Sequence, residues 1–430
     1  VIYSSAYALD KNPELIEATK RGIPCIMYPE VLGAISFGAW SCGIAGVHGK
    51  TSTTAICGTI LEQLDIPVQV LAGSLVTSFS TNGKKSCAHG SCTLNKGYEY
   101  FIAETCEYQR HFMNFHPDQI ILSSVESDHQ DYYPTYESIL DAFVDYCCLL
   151  PVGGKLIYCA DDTGASETAK FVSIKRPDIL LVPYGFTAQG DFSITNYSVQ
   201  NGMQAFSLKI FANNKDFELF VPGKHNVLNA AACIALVIDL LQKENLNVIQ
   251  NFSNIHRGLK NFTGSRRRSE IIYDNSPYIT IIDDYGHHPT EIQKTLTGLR
   301  QFYKDRYIII DFMSHTYTRT AALLEEFAQS FGAADMVVLN KIYSSAREKY
   351  SGTVTGKTLY NKTKAQHFNV VYAPEFDEAS IVINKTLTQQ TLNSNDKKGF
   401  LVVTMGAGDN WKVGTMLCES LKDNIRWSVK

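Results

Sequence analysis

A short run near the start of the chain has the residue types and spacing to hold phosphate. In GIAGVHGKTSTTA (Gly43–Ala55), Gly46 and Gly49 flank two residues, and Lys50, Thr51 and Ser52 follow at once. A glycine turn at a helix N-terminus points free N–H groups outward and adds the positive end of the helix dipole. Lys50 supplies a full charge for the outer phosphates, and Thr51 offers a hydroxyl to Mg²⁺. Gly46, His48, Gly49 and Ser52 complete the expected nucleotide loop. The common form of this loop has four residues between its glycines. Here only Val47 and His48 intervene, so the spacing needs an explanation.

Further candidates follow other apolar runs. FIAETCEYQRHF places Glu104 at a strand end, where Mg²⁺ needs an oxygen ligand; Glu107 lies just beyond and reads equally well as surface. SSVESDHQDYY places His129 at the same edge, as a metal ligand or proton carrier, although such a histidine alone is more often a plain loop residue. PGKHNVLNAAACIAL opens a helix with His225, Asn226 and Asn229. Asn226 suits a helix cap as well as an adenine edge. GSRRRS carries Arg266, Arg267 and Arg268; a charge run is usually a solvated face, but an arginine there can also reach a γ-phosphate. IIDDYGHHPTE gathers two acids, a tyrosine and two histidines in one loop, among them Asp284, Tyr285 and His287. DFMSHTYTRT adds His315 and Arg319; arginine suits a carboxylate because it forms two parallel hydrogen bonds.

The elements that must position these residues alternate β and α. SCGIAGV, EYFIAE, DQIILSSV, KLIYC and DILLVPYG read as buried strands, with STTAICGTILEQL, YESILDAFVDYCCLL and NVLNAAACIALVIDLLQ as helices. The stretch from Gly190 to Gly223 alternates with period two and suggests an antiparallel hairpin or meander. Thr81–Gly97 reads as a polar, glycine-rich loop. A second βα series, YITIIDDYG, RYIIIDF, DMVVLN, FNVVYAP and GFLVVTMGAG, begins after a boundary near Thr263–Glu270. The first forty residues read as about one βα unit, too little for a domain. The expected fold class is therefore α/β: a partial Rossmann-like segment over 1–40, a central parallel-sheet ATP-binding domain with added antiparallel strands over 41–268, and a Rossmann-like domain over 269–430.

Composition narrows the classes. The chain has 430 residues and a formal net charge of −4, so no whole-protein basic field favours nucleic acid. No apolar run is expected to span a membrane, and no secretion-signal pattern opens the sequence. Eleven scattered cysteines without a C-x-x-C pair speak against a zinc site and for reduced thiols in the cytosol.

The order of AGVHGKTSTTA, VESDHQDYY, GKHNVLNAAA, RRRSE, DDYGHHPTEI, HTYTRT and MGAG resembles the Mur ligase family. In that family the phosphate loop has the shortened form A-G-T-H-G-K-T. SSAYALDKNPELIEA resembles the end of the family's N-terminal UDP-binding domain. The resemblance implies a bacterial cytoplasmic enzyme of peptidoglycan synthesis, monomeric or dimeric. Using ATP and Mg²⁺, it would join L-alanine to the carboxylate of UDP-N-acetylmuramate through an acyl phosphate. A peptide-adding murein ligase and a folylpolyglutamate-type ligase are the alternatives. The resemblance further implies that Lys50 and Arg268 hold phosphates, and that Thr51, Glu104 and His129 bind metal. It places His225, Asn226, Asn229 and Asp284 around the nucleotide. Tyr285 and His287 would face the muramate end, and His315 and Arg319 a carboxylate. ETCEYQ stands where the family commonly has E-A-D-E-S-D, and Thr316 stands where it has an arginine.

Overall fold

The computed structural model describes residues 1–79, 90–93, 97–200, 202–344, 348, 352, 354–389 and 398–422. They group into two compact units: Val1–Tyr197 with Ala205–Leu219 and Val227–Phe262, and Thr263–Lys430 with Ser198–Gln204 and Phe220–Asn226.

The first unit opens with β1 (Ile2–Tyr3), α1 (Pro13–Lys20), β2 (Ile26–Met27) and α2 (Tyr28–Phe37), with β1 and β2 paired in parallel. Its main elements are β3 (Trp40–Ala45), α3 (Lys50–Leu61), β4 (Val68–Val76), β5 (Gly90–Cys92), β6 (Tyr100–Glu104), β7 (Gln119–Leu122), α4 (Tyr136–Cys147), β8 (Lys155–Cys159), α5 (Thr163–Lys175) and β9 (Leu180–Tyr184). The seven strands from β3 to β9 form one sheet in the order β5-β4-β6-β3-β7-β8-β9, parallel except for β5. Ile44, Ile102 and Ile121 are fully buried, as the near-continuous apolar runs of a sheet covered on both faces require. The sheet departs from the expected pattern in two places. β4 fills a position beside β6 that the apolar runs did not reveal. Gly90–Cys92, expected within a loop, pairs as an edge strand with β4, while 81–89 and 94–96 lie outside the described residues.

Next come β10 (Ile194–Gln200), β11 (Met203–Ile210) and β12 (Asn213–Leu219), a three-stranded sheet in that order. Phe211 and Ala212 join β11 to β12 with φ of 50° and 62°, the left-handed pair that a tight two-residue hairpin needs. The expected hairpin is therefore present. Helices α6 (Lys224–Lys243) and α7 (Val248–Asn261) follow. α6 is long and apolar enough to cross a membrane, contrary to expectation, but 78% of its apolar window is buried within the fold.

The second unit contains β13 (Glu270–Asn275), β14 (Ile279–Asp284), α8 (Pro289–Phe302), β15 (Tyr307–Phe312), α9 (Tyr317–Ala322), α10 (Leu324–Gln329), β16 (Met336–Leu339), α11 (Gly356–Lys364), β17 (Val370–Tyr372), α12 (Phe376–Gln389), β18 (Phe400–Met405) and α13 (Trp411–Lys422). Its sheet runs β13-β14-β18-β15-β16-β17, parallel apart from β13. Alternation along each strand sorts the core into two layers. Ile308, Ile310, Phe312, Leu401 and Val403 pack with α8, α10 and α11; Ile309, Phe400 and Val402 pack with α12 and α13. β18 inserts between β14 and β15, so the loops after these three strands share one end of the sheet. Parallel α/β sheets bind ligands at that end.

Candidate active site

In the first unit the phosphate loop leaves the centre of the sheet. Gly46 and Gly49 have φ of 136° and 85°, conformations that glycine alone adopts freely. A Cβ on Gly46 would lie 2.9 Å from the Ser124 nitrogen, and one on Gly49 would lie 2.9 Å from Asn229 Oδ1. The loop is anchored to the end of β7: Val47 N donates to Ser124 O (3.0 Å) and His48 N to Ser124 Oγ (2.9 Å). His48 also pairs with Glu126. Thr51 is buried at the first turn of α3 and Asn229 is buried on α6. Gly46→Ala is expected to destabilise the unit by more than about 2 kcal/mol and to abolish ADP binding, as read by thermal unfolding and calorimetry. Normal ADP affinity in that variant would remove the glycine requirement.

Lys50 does not project freely. Its Nζ donates to Glu107 Oε2 and Oε1 at 2.8 and 3.1 Å and to the Gly46 carbonyl. Glu107, which the sequence left open as surface, is 3% exposed. The chain after β6 enters a tight turn, Tyr108–Asn114, in which Gln109 and Arg110 take φ of 53° and 57°. This folds Glu107 back beneath the phosphate loop. The retained glutamate shared by ETCEYQ and the E-A-D-E-S-D pattern was the signal that could have found it. His129 Nε2 lies 3.5 Å from Glu107 Oε1. Burial would raise the Glu107 carboxyl, but Lys50 and His129 outweigh it and hold it below the usual carboxylate range. Burial would likewise lower the Lys50 ammonium, and the Glu107 charge holds it above its ordinary value. Glu104 accepts from Gly73 N on β4 at 3.0 Å, and its charge also helps to raise the Lys50 ammonium.

A hydroxyl, a carboxylate and an imidazole at the C-terminal strand ends, below a glycine loop, fit a divalent cation accompanied by phosphate. The Thr51 hydroxyl, the Glu104 carboxylate and the His129 imidazole are the candidates for it, while both Glu107 oxygens accept from the Lys50 ammonium.

The second unit collects the other candidates. Arg268 lies between Arg267 and Ser269, which take φ of 57° and 49°. Arg267 and Arg268 stack over Tyr285 at 5.2 and 5.4 Å. Arg267 is a structural clasp, donating to Asp283 Oδ2 (2.8 Å) and to the Gly406 carbonyl (2.7 Å). Asp284 is buried and accepts from Ser269 N, Ser269 Oγ and Gly286 N at 2.7, 3.1 and 2.7 Å. Burial raises its carboxyl, and its oxygens shape the loop. His288 caps α8, which separates its role from that of His287. The His287 and His315 rings are 6.0 Å apart, and His315 Nδ1 lies 3.4 Å from Arg319 Nη1. Glu291, which was not a candidate, links this group: it accepts from His287 N (2.9 Å) and from Arg268 (3.4 Å). Thr316 takes φ of 66° and caps α9 through Arg319 N. His225 packs over Gly223, and Asn226 donates to the Pro222 carbonyl at 2.8 Å; both precede Asn229 at the start of α6.

The Mur ligase middle domain matches residues 44–237, and the Mur ligase glutamate ligase domain matches 267–408. This chain is a Mur ligase. The shortened phosphate loop lies within the matched middle domain. Among curated proteins, this Mur ligase is 46% identical over 426 residues to the UDP-N-acetylmuramate–L-alanine ligase of Treponema pallidum, covering 99% of this chain and 84% of that protein. It is 36% identical to the ligase of the same name from Borreliella burgdorferi, over 96% of this chain and 83% of that one. Among solved structures, the UDP-N-acetylmuramate–alanine ligase of Thermotoga maritima superposes with a TM-score of 0.73 at 22% identity, covering 98% of this chain and 85% of that chain. A murein peptide ligase from Psychrobacter arcticus superposes at 0.59 and 21% identity, over 96% of this chain and 84% of that one.

Proposed function

We propose that this Mur ligase joins L-alanine to the muramate carboxylate of UDP-N-acetylmuramate with ATP and Mg²⁺, in the bacterial cytoplasm and without a nucleic-acid or membrane partner. The observation that carries the reading is the near full-length identity of 46% to a relative of that name. Peptide-adding and folate-type ligases are not favoured by any feature of the site.

Lys50 and the N–H groups of the Gly46–Ser52 loop bind the ATP phosphates, with His48 and Asn229 fixing the loop. Thr51, Glu104 and His129 would hold Mg²⁺, with the Lys50–Glu107 ion pair beside them. Bound there, the ion would supply charge neutralisation to the phosphates. The muramate carboxylate attacks the γ-phosphorus, ADP leaves, and an acyl phosphate forms. The alanine amine then attacks the acyl carbon, and the tetrahedral oxyanion collapses with loss of phosphate. Arg268 serves phosphate oxygens, His225 and Asn226 the nucleotide, and Asp284 shapes the loop that presents Tyr285 and His287 to the muramate end. Arg319 with His315 binds a carboxylate. Residues 41–268 act as the ATP-binding domain and 269–430 as a ligand-binding domain, in a monomer or dimer.

The test is an amino-acid screen with UDP-N-acetylmuramate, ATP and Mg²⁺, reading phosphate release. Release with L-alanine and not with buffer alone is expected. Release only with a peptide would move the chain to the peptide-adding class, and equal release without any amino acid would end the ligase reading.

A further inference from the structure

Only Val47 and His48 stand between the glycines of the phosphate loop, and both are held from outside it. Val47 N donates to the Ser124 carbonyl and His48 N to Ser124 Oγ. The His48 carbonyl accepts from Ser123 Oγ, and the His48 ring pairs with Glu126. The loop therefore takes its shape from Ser123 to Glu126, the segment that leaves β7. This segment is neither helix nor strand, so its own shape has to be imposed in turn. Its residue Val125 is buried and donates its N–H to Asp162 Oδ1 at 3.0 Å. The same oxygen accepts from Ala165 N at 2.9 Å. With one atom Asp162 thus caps α5 and clamps Val125. The start of α5 presses close at this point: a Cβ on Gly164 would lie 2.8 Å from the Val125 carbonyl carbon. Asp161, the preceding acid, turns instead to the segment after β9 and accepts from Phe186 N at 2.6 Å.

We infer that Asp162 is a positioning residue for nucleotide binding: through the Ser124–Val125 peptide it sets the conformation of the phosphate loop. This rests on the reading of the Gly46–Ser52 loop as the phosphate site. The Val125 N–H and the Ser124 carbonyl belong to one planar peptide unit and point to its opposite edges. Asp162 holds one edge, and Val47 N takes the other. The plane is therefore a rigid bridge from the cap of α5 to the loop. Ser124 and Glu126 flank Val125, so a turn of this peptide would also shift the partners of the His48 N–H and the His48 ring. Phosphate donors bind well only when they are already in place, and a misplacement of about 1 Å can cost about a hundredfold. Asp162 serves here as an acceptor, so a side-chain amide in its place would supply the same bond.

The experiment measures ADP binding by calorimetry, with Mg²⁺ present, and the KM for ATP, on the full chain and on Asp162→Ala, Asp162→Asn and Asn247→Ala. Asn247 caps α7, accepting from Gln250 N at 3.2 Å, so its alanine variant reports the loss of a helix cap elsewhere in the same unit. Asp162→Ala is expected to weaken ADP binding and raise the KM for ATP by about tenfold or more. Its rate at saturating ATP should stay near normal, with the KM for L-alanine unmoved. Asp162→Asn keeps an acceptor oxygen and should bind ADP as the parent does. Asn247→Ala should lose melting temperature, as removal of a cap does, and bind ADP normally. Parent-like ADP affinity in Asp162→Ala overturns the inference. So does an equal loss of affinity in Asn247→Ala, which would trace the effect to general softening of the unit. A loss in Asp162→Asn as large as that in Asp162→Ala also overturns it, because charge rather than the bond to Val125 would then matter. If the parent itself binds no ADP, the phosphate-loop reading fails first and takes the inference with it.

Discussion

Replacing Lys50 with alanine is expected to lower amino-acid-dependent phosphate release by at least about 10³ and to destabilise the first unit by about 3 kcal/mol or more. The two losses have different origins. The rate loss comes from removing the cation that meets charge on the transferring phosphoryl group. The stability loss comes from Glu107, whose side chain is only 4% exposed beside a 13% exposed Lys50 side chain. Without the ammonium, a carboxylate is left buried beside His129. The sign with pH follows from the depressed Glu107 carboxyl. In the parent its contribution is complete above the ordinary glutamate value of about 4.3 and is lost as pH falls through the lower folded value. The variant should lack it at neutral pH as well. Adding Glu107→Gln to Lys50→Ala removes the stranded charge, so the double variant should regain melting temperature and remain inactive. A double variant no more stable than Lys50→Ala would show that the pair contributes little to stability. Turnover retained by Lys50→Ala would remove the phosphate role.

The second large effect concerns a residue outside the proposed chemistry. Asp311, on β15, is fully buried on the layer packed against α12 and α13. It accepts from Asn340 Nδ2 at 2.9 Å and from Asn410 Nδ2 at 3.5 Å. The same amide nitrogens donate to the Ala373 and Met405 carbonyls at 3.1 and 2.8 Å, which fixes which way each carboxamide points. The carboxyl therefore staples the ends of β15, β16 and β18 and the segment after β17. No cation neutralises it among the described residues. Burial pushes it up to about 7, the two carboxamides pull it down in part, and Asp283 adds like charge. An unfolded aspartate titrates near 3.9, so folding takes up a proton between about pH 4 and pH 7. Stability should fall as pH rises through that window, by on the order of 4 kcal/mol, and level off above it. Asp311→Asn removes the titrating group. Its melting temperature should change much less with pH and exceed that of the parent at pH 8. Parallel profiles for the two proteins from pH 5 to pH 8 would refute the account.

Much of this site was legible in the chain because it depends on local chemistry. A glycine pair before Lys-Thr needs no distant residue to be read as a phosphate loop. The placement of acids and histidines after apolar runs follows from the rule that parallel sheets work at their C-terminal ends. What remained hidden depended on non-local pairing. Glu104 stands at the end of β6, where a metal ligand is expected, and the neighbouring β4 donates its Gly73 N–H to one oxygen of that carboxylate. β4 was not visible as an apolar run, so that outcome could not be anticipated. Glu107 looked like surface because no local pattern announces a turn built on left-handed Gln109 and Arg110; Tyr133 and Asp145, distant in sequence, hold it.

The second unit divides in the same way. The sequence by itself determined that His287, His315 and Arg319 follow strands of one βα series, and that a Pro in the first turn starts α8. Only the tertiary structure decided that β18 inserts beside β14 and β15, bringing those loops to one sheet end, and that His288 is a helix cap while His287 faces His315. Strand order is set by which faces bury together across a hundred or more residues. Local sequence fixes which side chain alternates inward, but the neighbour it meets there is chosen by the fold.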